Sequence, residues 1–325
     1  MPMRWVMRGA QQAIRIRRRM RGPIKPSWEV GFETWARLLH HYGKRSTALP
    51  LGLQRGALAA MPKRPLPSGV REEHVRAGTV PGRIFHCDGA EDRWLFYLHG
   101  GGYSIGSVDT HRHLILRLAS AAGAHALAID YRLAPEHTFP APIDDAVLAW
   151  HWLLKRGVDP ARVVLAGESA GGGLTLATAI ALRDAGEPLP AGLVAISPWA
   201  DLTLRGASID ANARFDYLAR PVLETYVRRY APRDRAHPLV SPVHADLRGL
   251  PPLLVQAGDA EALRDDAIAL AARAERDGVK ATLTMYADMI HVWHMFPLAE
   301  AREAVREIGL FAREVTARAT VAAAS

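Results

Sequence analysis

The sequence predicts an α/β fold in which helices flank a mostly parallel sheet, in one doubly wound domain. After Arg93, short apolar runs alternate with longer helical patterns, which is typical of βαβ units. The apolar runs are almost continuous, as expected for strands that are covered on both faces. The chain has 325 residues, of which 49% are hydrophobic and 23% charged, so it can bury the core that such a sheet requires.

Strands and helices are predicted in alternation along this part of the chain. The predicted strands span 94–99, 126–130, 163–167, 193–197, 252–258 and 281–286, and a further strand is expected around Cys87. The predicted helices lie near 110–122, near 141–156, after a turn at 167–171 as far as Asp184, near 262–277, and beyond Pro297. Parallel strands joined by such helices bring their carboxyl ends to one edge of the sheet.

Two stretches do not follow this pattern. Residues 1–65 are helical and punctuated by prolines, and they include one amphipathic helix over 28–43. Residues 201–245 separate two strands by far more than a usual connection length. We expect both stretches to fold over the carboxyl edge of the sheet as a helical cap, with 66–325 forming the main domain.

The net charge of +8 is confined to the start of the chain. Residues 1–28 contain eight basic residues and no acidic one, and the rest of the chain is balanced. A globally basic face for nucleic acid is therefore not expected. In one interpretation Trp5, Val6, Ile14 and Ile16 anchor a basic amphipathic helix on an anionic membrane surface. In the simpler one the segment is a solvated, partly disordered tail.

The cysteine count, the histidine spacing and the apolar runs bear on disulfides, metal sites and membrane spans. Cys87 is the only cysteine, so no intrachain disulfide can form, and we expect a buried, inert thiol and a cytoplasmic location. No apolar run approaches the ~20 residues that cross a bilayer, and arginines interrupt the first stretch where a signal peptide would be apolar. The histidines show no metal-ligand spacing, so neither a metal nor another cofactor is expected.

The first chemical motif is Gly167-Glu168-Ser169-Ala170-Gly171, between a predicted strand and a predicted helix. A serine hydroxyl is a weak nucleophile, so it must be exposed, positioned and deprotonated as it attacks. A sharp strand-to-helix turn exposes and positions it, and glycines on both sides allow the strained backbone. The start of the following helix favours negative charge beside Ser169. A glycine-rich turn of purely structural use is the alternative.

The second motif is His99-Gly100-Gly101-Gly102, directly after the strand at 94–99. Acyl transfer generates an oxyanion, and fixed backbone amides stabilise it, each by on the order of 3 kcal/mol. Glycines suit this task because side chains would block the close approach of the backbone. In this chain order, the motif predicts an oxyanion loop beside the serine turn.

With Tyr131-Arg132-Leu133-Ala134-Pro135-Glu136-His137, these motifs resemble the hormone-sensitive-lipase-like branch of the α/β-hydrolases, called family IV among bacterial esterases. The resemblance runs from about Arg93 to Pro297 and implies an α/β-hydrolase fold with an eight-stranded sheet. It also implies that the amides of Gly101, Gly102 and Ala170 form the oxyanion hole. Arg132, Glu136 and His137 are then assigned to packing and ion pairing. Members of the family often pair through the edge strand and the C-terminal helix, which makes a homodimer plausible.

The general base is expected after the last strand, because the chain order of these hydrolases is serine, acid, histidine. His291-Val292-Trp293 resembles the histidine tripeptide of the family. We therefore expect His291 to be the base. His294, three residues later, is the rival and is expected to line the site or pack in the core.

The acid departs from the commonest family pattern, D-P-L-x-D. Here the segment after the strand is Gly258-Asp259-Ala260-Glu261-Ala262-Leu263-Arg264-Asp265-Asp266. Alignment on Leu-Arg-Asp puts Glu261 at the catalytic position, and some members of the family use glutamate there. Asp259 is the rival, while Asp265 and Asp266 are expected to cap the next helix or to face solvent.

These features together predict hydrolysis of carboxylic esters with short-to-medium acyl groups, through an acyl-enzyme on Ser169. Tyr103, Trp199 and Trp293 are candidates for the ester pocket, with core packing as the alternative, and Glu168 is expected to hold a nearby loop. A lactone or amide hydrolase with the same residues remains open. A non-catalytic ligand binder, such as the plant gibberellin receptors that resemble this family, is disfavoured because serine, carboxylate and histidine are all present.

Overall fold

Eight strands form one twisted sheet in the computed structural model, which describes residues 2–62 and 64–322. The strands are β1 Val70–Ala77, β2 Val80–Cys87, β3 Trp94–Leu98, β4 His125–Ile129, β5 Val163–Glu168, β6 Gly192–Ile196, β7 Leu253–Gly258 and β8 Ala281–Tyr286. Their order across the sheet is β1-β2-β4-β3-β5-β6-β7-β8, and only the pairs formed by β2 are antiparallel. The mostly parallel eight-stranded sheet predicted from the sequence is confirmed.

Helices cover both faces of this sheet. The helices are α1 Pro2–Arg21, α2 Val30–Ser46, α3 Leu51–Ala59, α4 Val108–Ala122, α5 Ala141–Lys155, α6 Ala170–Asp184, α7 Ser208–Ala211, α8 Arg220–Tyr230, α9 Arg264–Arg276 and α10 Ala299–Ala322. Helices α5, α6 and α9 pack on one face, against side chains such as Leu165, and α4 and α10 pack on the other, against side chains such as Val164. Neighbouring residues of a strand point to opposite faces, so a doubly covered strand is apolar throughout.

Two features of the sheet differ from the sequence expectations. Strand β1 was not predicted, because its sequence VREEHVRA lacks an apolar face and it pairs only with β2 at the edge of the sheet. Cys87 lies at the end of a strand, as expected, but its side chain is half-buried rather than fully buried. Burial still raises the pKa of the thiol, which disfavours the reactive thiolate.

The N-terminal helices and the long insertion pack against each other above the carboxyl edge of the sheet. Helix α2 contacts α8, and Gly43 approaches the carbonyl of Tyr217 so closely that a Cβ atom would not fit. From α8, the ring of Tyr226 reaches Gly102, which follows the end of β3. These contacts form the expected helical cap, while the domain boundary near residue 65 stays a prediction.

The basic N-terminal segment is helical over residues 2–21, so the interpretation as a disordered tail is wrong there. Arg17 and Arg18 lie 3.4 and 3.7 Å from the carboxylate of Glu33, which is buried in α2. Lys25 pairs with Asp288 at 2.8 Å. The side chains of the first six residues, including Trp5 and Val6, lie outside the described part of the chain. Within the described residues no helix is long and apolar enough to cross a membrane.

Candidate active site

Ser169 occupies the sharp turn between β5 and α6. Its backbone has φ 56° and ψ −122°, a strained conformation for a residue with a side chain. The amide of Ser169 donates to the carbonyl of Ile196 at 2.9 Å, and its carbonyl accepts from the amide of Trp199 at 2.9 Å. Neighbouring strand β6 therefore holds this turn, and Ser169 stays partly exposed where α6 begins.

The glycine loop after β3 lies against the serine turn. A Cβ atom on Gly100 would lie 3.0 Å from the Cβ atom of Ser169. Gly101 and Gly102 have φ angles of 113° and 58°, and a Cβ atom on Gly102 would lie 2.5 Å from the ring of Tyr226. Side chains are therefore excluded at both positions by backbone conformation and by space.

Three backbone amides next to Ser169 have no protein acceptor among the described residues: those of Gly101, Gly102 and Ala170. Ala170 is the first residue of α6, so its amide has no partner within the helix. Buried amides are normally paired, so these three N–H groups are available as donors to a bound oxygen atom.

Glu168 fixes the glycine loop to the serine turn. Its carboxylate accepts hydrogen bonds from the Gly100 amide at 2.5 Å and from the Tyr97 hydroxyl at 2.7 Å, and it lies 2.9 Å from Nε2 of His111. Burial alone would raise the pKa of Glu168, but the charge and hydrogen bond of His111 lower it overall. The expected role in holding a loop is confirmed.

The segment 131–137 also supports this loop from below. Arg132 pairs with Asp145 at 2.8 Å, and Glu136 pairs with Arg55 of α3 at 2.8 Å, so both expected ion-pairing roles are confirmed. His137 is exposed, so the expectation of packing is wrong for this residue.

His291 lies in the turn after β8, as the chain order requires. Its imidazole is 2% exposed, and the Tyr217 ring of the cap packs against it with 5.6 Å between ring centroids. Burial lowers the pKa of His291 to about 3, which favours the neutral form that a general base needs. The rival, His294, is buried in the core with Nε2 2.9 Å from Oε1 of Gln256.

Glu261 lies in the turn between β7 and α9 and is fully buried. The hydroxyl of Ser197 donates to its Oε2 at 2.7 Å, and the amide of Val292, the residue after His291, donates to the same hydroxyl at 3.1 Å. Burial raises the pKa of Glu261 well above its ordinary value. In the described part of the chain, Oε1 of Glu261 and Nδ1 of His291 have no hydrogen-bond partner.

The other carboxylates of this segment are committed elsewhere. Asp259, the rival for the acid, accepts a hydrogen bond from the amide of Asp288 at 2.7 Å. Asp265 accepts from the amide of Ser208 at 2.8 Å. Asp266 does not face solvent: it is 2% exposed and binds two amides that follow β6, so that expectation is wrong.

The three candidate pocket residues are almost completely buried. Tyr103 is stacked on Tyr230, with 3.7 Å between the ring centroids. Trp199 belongs to the same core cluster, and Trp293 belongs to a second cluster that includes Trp28 of the cap. The structure therefore packs all three into the core around the site.

Four residues that the sequence analysis did not single out lie within the site: Ser197, Asp216, Tyr217 and Tyr226. Ser197 joins the turn that carries Glu261 (the acid turn) to the turn that carries His291 (the histidine turn). The rings of Tyr217 and Tyr226, both in the cap, contact His291 and Gly102. None of the four belongs to a short motif. Ser197 was predicted only as the end of a strand, and the only signal for the other three was the length of the insertion.

Comparisons with known proteins agree with this geometry. Residues 95–295 match the model of a family with the α/β-hydrolase fold. An acetyl-hydrolase of Streptomyces hygroscopicus is 46% identical over 269 residues, which cover 78% of this chain and 90% of that protein. An esterase of Acinetobacter venetianus is 35% identical over 243 residues, covering 73% of this chain and 80% of the relative.

Solved structures indicate to which branch of the α/β-hydrolases the chain is similar. The structure of EstE5, from a crystal soaked with p-nitrophenyl butyrate, is similar to this chain, with 40% sequence identity and a TM-score of 0.82. The matched region covers 87% of this chain and 97% of the EstE5 chain. An esterase from the bacterial hormone-sensitive lipase family is 42% identical, with a TM-score of 0.79 and coverage of 86% and 98%. The chain belongs to the hormone-sensitive-lipase-like branch of the α/β-hydrolases and is a carboxylic ester hydrolase.

Proposed function

We propose that this esterase works through an acyl-enzyme, with Ser169 as nucleophile, His291 as general base and Glu261 as the acid that orients His291. The observation that carries the proposal is the strained serine turn facing three unpaired backbone amides. That arrangement exposes a nucleophile and provides donors for the charge it creates.

Each proposed residue has one task in the reaction. Ser169 Oγ attacks the ester carbonyl while Nε2 of His291 accepts its proton, and the carbonyl π electrons move onto the oxygen. The amides of Gly101, Gly102 and Ala170 bind this oxyanion. When the tetrahedral intermediate collapses, the C–O bond breaks and His291 gives its proton to the departing alcohol. Water then repeats the sequence and releases the acid.

Two observations support Glu261 over Asp259 as the acid. Oε1 of Glu261 and Nδ1 of His291 are complementary buried atoms, and both are unpaired in the described structure. Ser197 already joins the carboxylate to the residue after His291. A hydrogen bond from Nδ1–H to Oε1 would satisfy both atoms and keep Nε2 free to accept the serine proton. Asp259 is instead bound by the amide of Asp288.

We propose esters with short-to-medium acyl groups as the substrates. Tyr217 and Tyr226 of the cap approach His291 and Gly102, which limits the space above the reacting atoms. The acetyl-hydrolase relative and the structure soaked with p-nitrophenyl butyrate support short chains. Tyr103 and Trp199, buried beneath the glycine loop and the serine turn, would form the rigid floor of the pocket, and Trp293 would support the histidine turn.

Mass spectrometry after treatment with a fluorophosphonate tests the nucleophile. We expect one covalent adduct on Ser169, absent in Ser169→Ala and present in Ser120→Ala, which changes an exposed serine of α4. Turnover of p-nitrophenyl acetate should fall by about 10⁴-fold in Ser169→Ala only. No adduct on the folded wild-type protein would reject the assignment and favour a ligand binder. Comparing an acetate ester with the matching lactone and amide separates the remaining alternatives.

We further propose that residues 1–65 contribute both the cap and a weak contact with anionic membranes. Helix α1 exposes Arg15 and Arg19 together with Ile16 and Met20, whose exposed fractions are 49% and 72%. A basic face with apolar side chains is typical of helices that lie in the membrane interface. Flotation with vesicles that contain phosphatidylglycerol should be stronger than with phosphatidylcholine alone, and equal flotation of wild type and an Arg15→Gln/Arg19→Gln variant would reject this contact.

Two further parts of the proposal concern location and assembly. The single cysteine supports a cytoplasmic location. Strand β8 pairs with β7 on one side, and its other edge is free in the described sheet, which supports a homodimer through β8 and α10. Size-exclusion chromatography with light scattering tests the dimer, and a strictly monomeric protein would contradict it.

A further inference from the structure

Asp216 is a carboxylate of the cap that is fully buried, and in the described structure it forms no ion pair with a basic side chain. It lies in the insertion between α7 and α8. Its Oδ1 accepts from the amide of Tyr217 at 2.7 Å, and its Oδ2 accepts from the amide of Ala262 at 2.7 Å. Burial raises the pKa of this carboxyl group, and the neighbouring backbone amides act against that rise.

The contacts of Asp216 reach both turns that carry the proposed acid and base. Ala262, whose amide donates to Asp216, directly follows Glu261. Tyr217, whose amide also donates to Asp216, packs its ring against the imidazole of His291. One carboxylate of the cap therefore binds the turn after β7 directly and holds the residue that packs on the turn after β8. Hydrogen bonds between an ionised carboxylate and backbone amides are among the stronger ones in proteins, so at pH values where Asp216 is ionised they can hold these segments in a fixed arrangement.

Other contacts of the same segment also hold it against these turns and against the N-terminal helices. The side chain of Asn212 donates to the carbonyls of Asp259 and Glu261, at 2.9 Å in both cases. Nδ1 of His40, in α2, lies 2.7 Å from the carbonyl oxygen of Asp216. Helix α2 thus contacts the backbone of Asp216, and Asp216 binds the turn of Glu261 and the residue that packs on His291.

We propose that Asp216 is a positioning residue, which sets the relative position of Glu261 and His291 from the cap. The proposal rests on the proposed function of those two residues. A buried carboxylate without a cation is costly, and the hydrogen bonds from the amides of Tyr217 and Ala262 offset only part of that cost. What the arrangement provides is a mechanical link, so that the two turns are correctly placed only when the insertion is seated on the sheet.

Kinetic constants of Asp216→Asn test this role. The substituted amide presents N–H to one of the backbone amides that Asp216 now accepts from, so one turn must shift. A displacement of about 1 Å costs on the order of 10–100-fold in rate, so kcat should fall by that factor while KM for p-nitrophenyl acetate changes less than about twofold. Asp210→Asn is the matched control, because Asp210 is exposed in the same insertion and pairs only with Arg220.

Hydrogen exchange supplies a readout that does not depend on activity. The amides of Ala262 and His291 should exchange faster in Asp216→Asn than in Asp210→Asn, in protein that is folded by circular dichroism. Wild-type kcat and wild-type exchange in Asp216→Asn would overturn the proposal. If Asp216→Asn does not fold, Asn212→Ala decides: we expect a kcat about threefold lower at constant KM, and unchanged kinetics would reject the link.

The same experiment distinguishes failure of this inference from failure of the proposed function. If the fluorophosphonate does not label Ser169 in wild type, the acyl-enzyme assignment is wrong, and faster exchange at Ala262 and His291 would still establish the link. If labelling is normal in wild type and equally fast in Asp216→Asn, the positioning role is rejected and the catalytic assignment stands.

Discussion

Glu168 accepts a hydrogen bond from the amide of Gly100, with 2.5 Å between Oε1 and the nitrogen. Glu168 immediately precedes Ser169, and Gly100 opens the loop whose next two amides are unpaired. The contact therefore joins the two main motifs of the chain, although 68 positions separate them. The serine turn and the glycine loop are thereby held together, and His111 lies 2.9 Å from the buried carboxylate.

Replacing Glu168 should damage both stability and catalysis. Glu168→Ala removes a buried carboxylate that pairs with the half-buried His111 and accepts from Tyr97, which costs about 3–5 kcal/mol of unfolding free energy. It also releases Gly100, so kcat should fall by on the order of 100-fold. Glu168→Gln keeps an acceptor for Gly100 and should retain more of kcat than Glu168→Ala. Guanidinium unfolding and ester turnover measure both effects, and a wild-type kcat in Glu168→Ala would contradict this account.

The motifs around Glu168 could be recognised in the sequence because their chemistry is local. A serine between glycines after an apolar strand requires a particular backbone, and so does a run of glycines after a neighbouring strand. The observed φ angles of Ser169 and Gly102 are both positive, which is the kind of backbone conformation that such turns require. The spatial contact between the two motifs follows from the parallel sheet, since β3 and β5 are adjacent.

Gly102→Ala tests whether the glycine loop supplies oxyanion donors. The new methyl group would meet the ring of Tyr226 and the residue would keep a positive φ, so the loop must shift. Loss of one donor corresponds to on the order of a 100-fold fall in kcat. Gly186→Ala is the control, because Gly186 has φ 69° with open space around it. Both variants should lose some stability, but only Gly102→Ala should lose turnover; equal turnover would count against the oxyanion role.

Ser197→Ala tests the link between the acid turn and the histidine turn. The variant removes a donor to Glu261 and an acceptor for Val292, so both turns lose an anchor. We expect kcat to fall by about tenfold with KM nearly unchanged, because orientation is affected more than binding. Thr178→Val is the control: Thr178 is equally buried, but its hydroxyl donates only to the carbonyl of Leu174 within α6. If both variants keep wild-type kcat, Ser197 has no positioning role.

The cap residues could not be predicted because nothing local marks them. Asp216 and Tyr217 lie in an insertion without clear helical or strand periodicity. Their partners are distant in the chain: Ala262 is 46 positions beyond Asp216. Whether a carboxylate in such a segment faces solvent or the turns of Glu261 and His291 depends on how the insertion packs on the sheet, which the sequence pattern does not show. The polar edge strand β1 was missed for a similar reason, since only its pairing with β2 makes it a strand.

Arg55 connects the N-terminal helices to the glycine loop. It donates to the carbonyls of Ser104 and Ala134, both at 2.9 Å, and pairs with Glu136. Arg55→Ala should cost about 1–3 kcal/mol of stability, because the two carbonyls lose their donor. Glu136→Gln removes the charge but keeps both carbonyl bonds, and as a largely exposed pair it should cost less than about 1 kcal/mol. Urea unfolding of the two variants compares them, and equal losses would contradict the dominance of the carbonyl contacts.

The pH dependence of stability should report on Asp216. Burial raises its pKa from 3.8 to about 7, although the backbone amides act against that shift. Between pH 4 and 7 the folded protein therefore keeps a proton that the unfolded chain has lost, so this group makes stability fall as pH rises through that window and adds no slope above it. Burial also raises the pKa of Glu261, so this group changes stability with pH in the same direction. Burial lowers the pKa of His291, so His291 changes stability with pH in the opposite direction.

The comparison of wild type with Asp216→Asn isolates this contribution, because Glu261, His291, Tyr217 and His40, the groups that face Asp216, are present in both proteins. The difference in unfolding free energy, wild type minus variant, should decrease steadily from pH 4 to pH 7 and then level off. Denaturant unfolding at several pH values measures it. Asp210→Asn is the control, because the hydrogen bond with Arg220 lowers the pKa of Asp210 and this variant therefore changes the slope only at the acidic end of the window. Parallel curves for wild type and Asp216→Asn would mean that the Asp216 carboxyl ionises in the folded protein as it does in the unfolded chain.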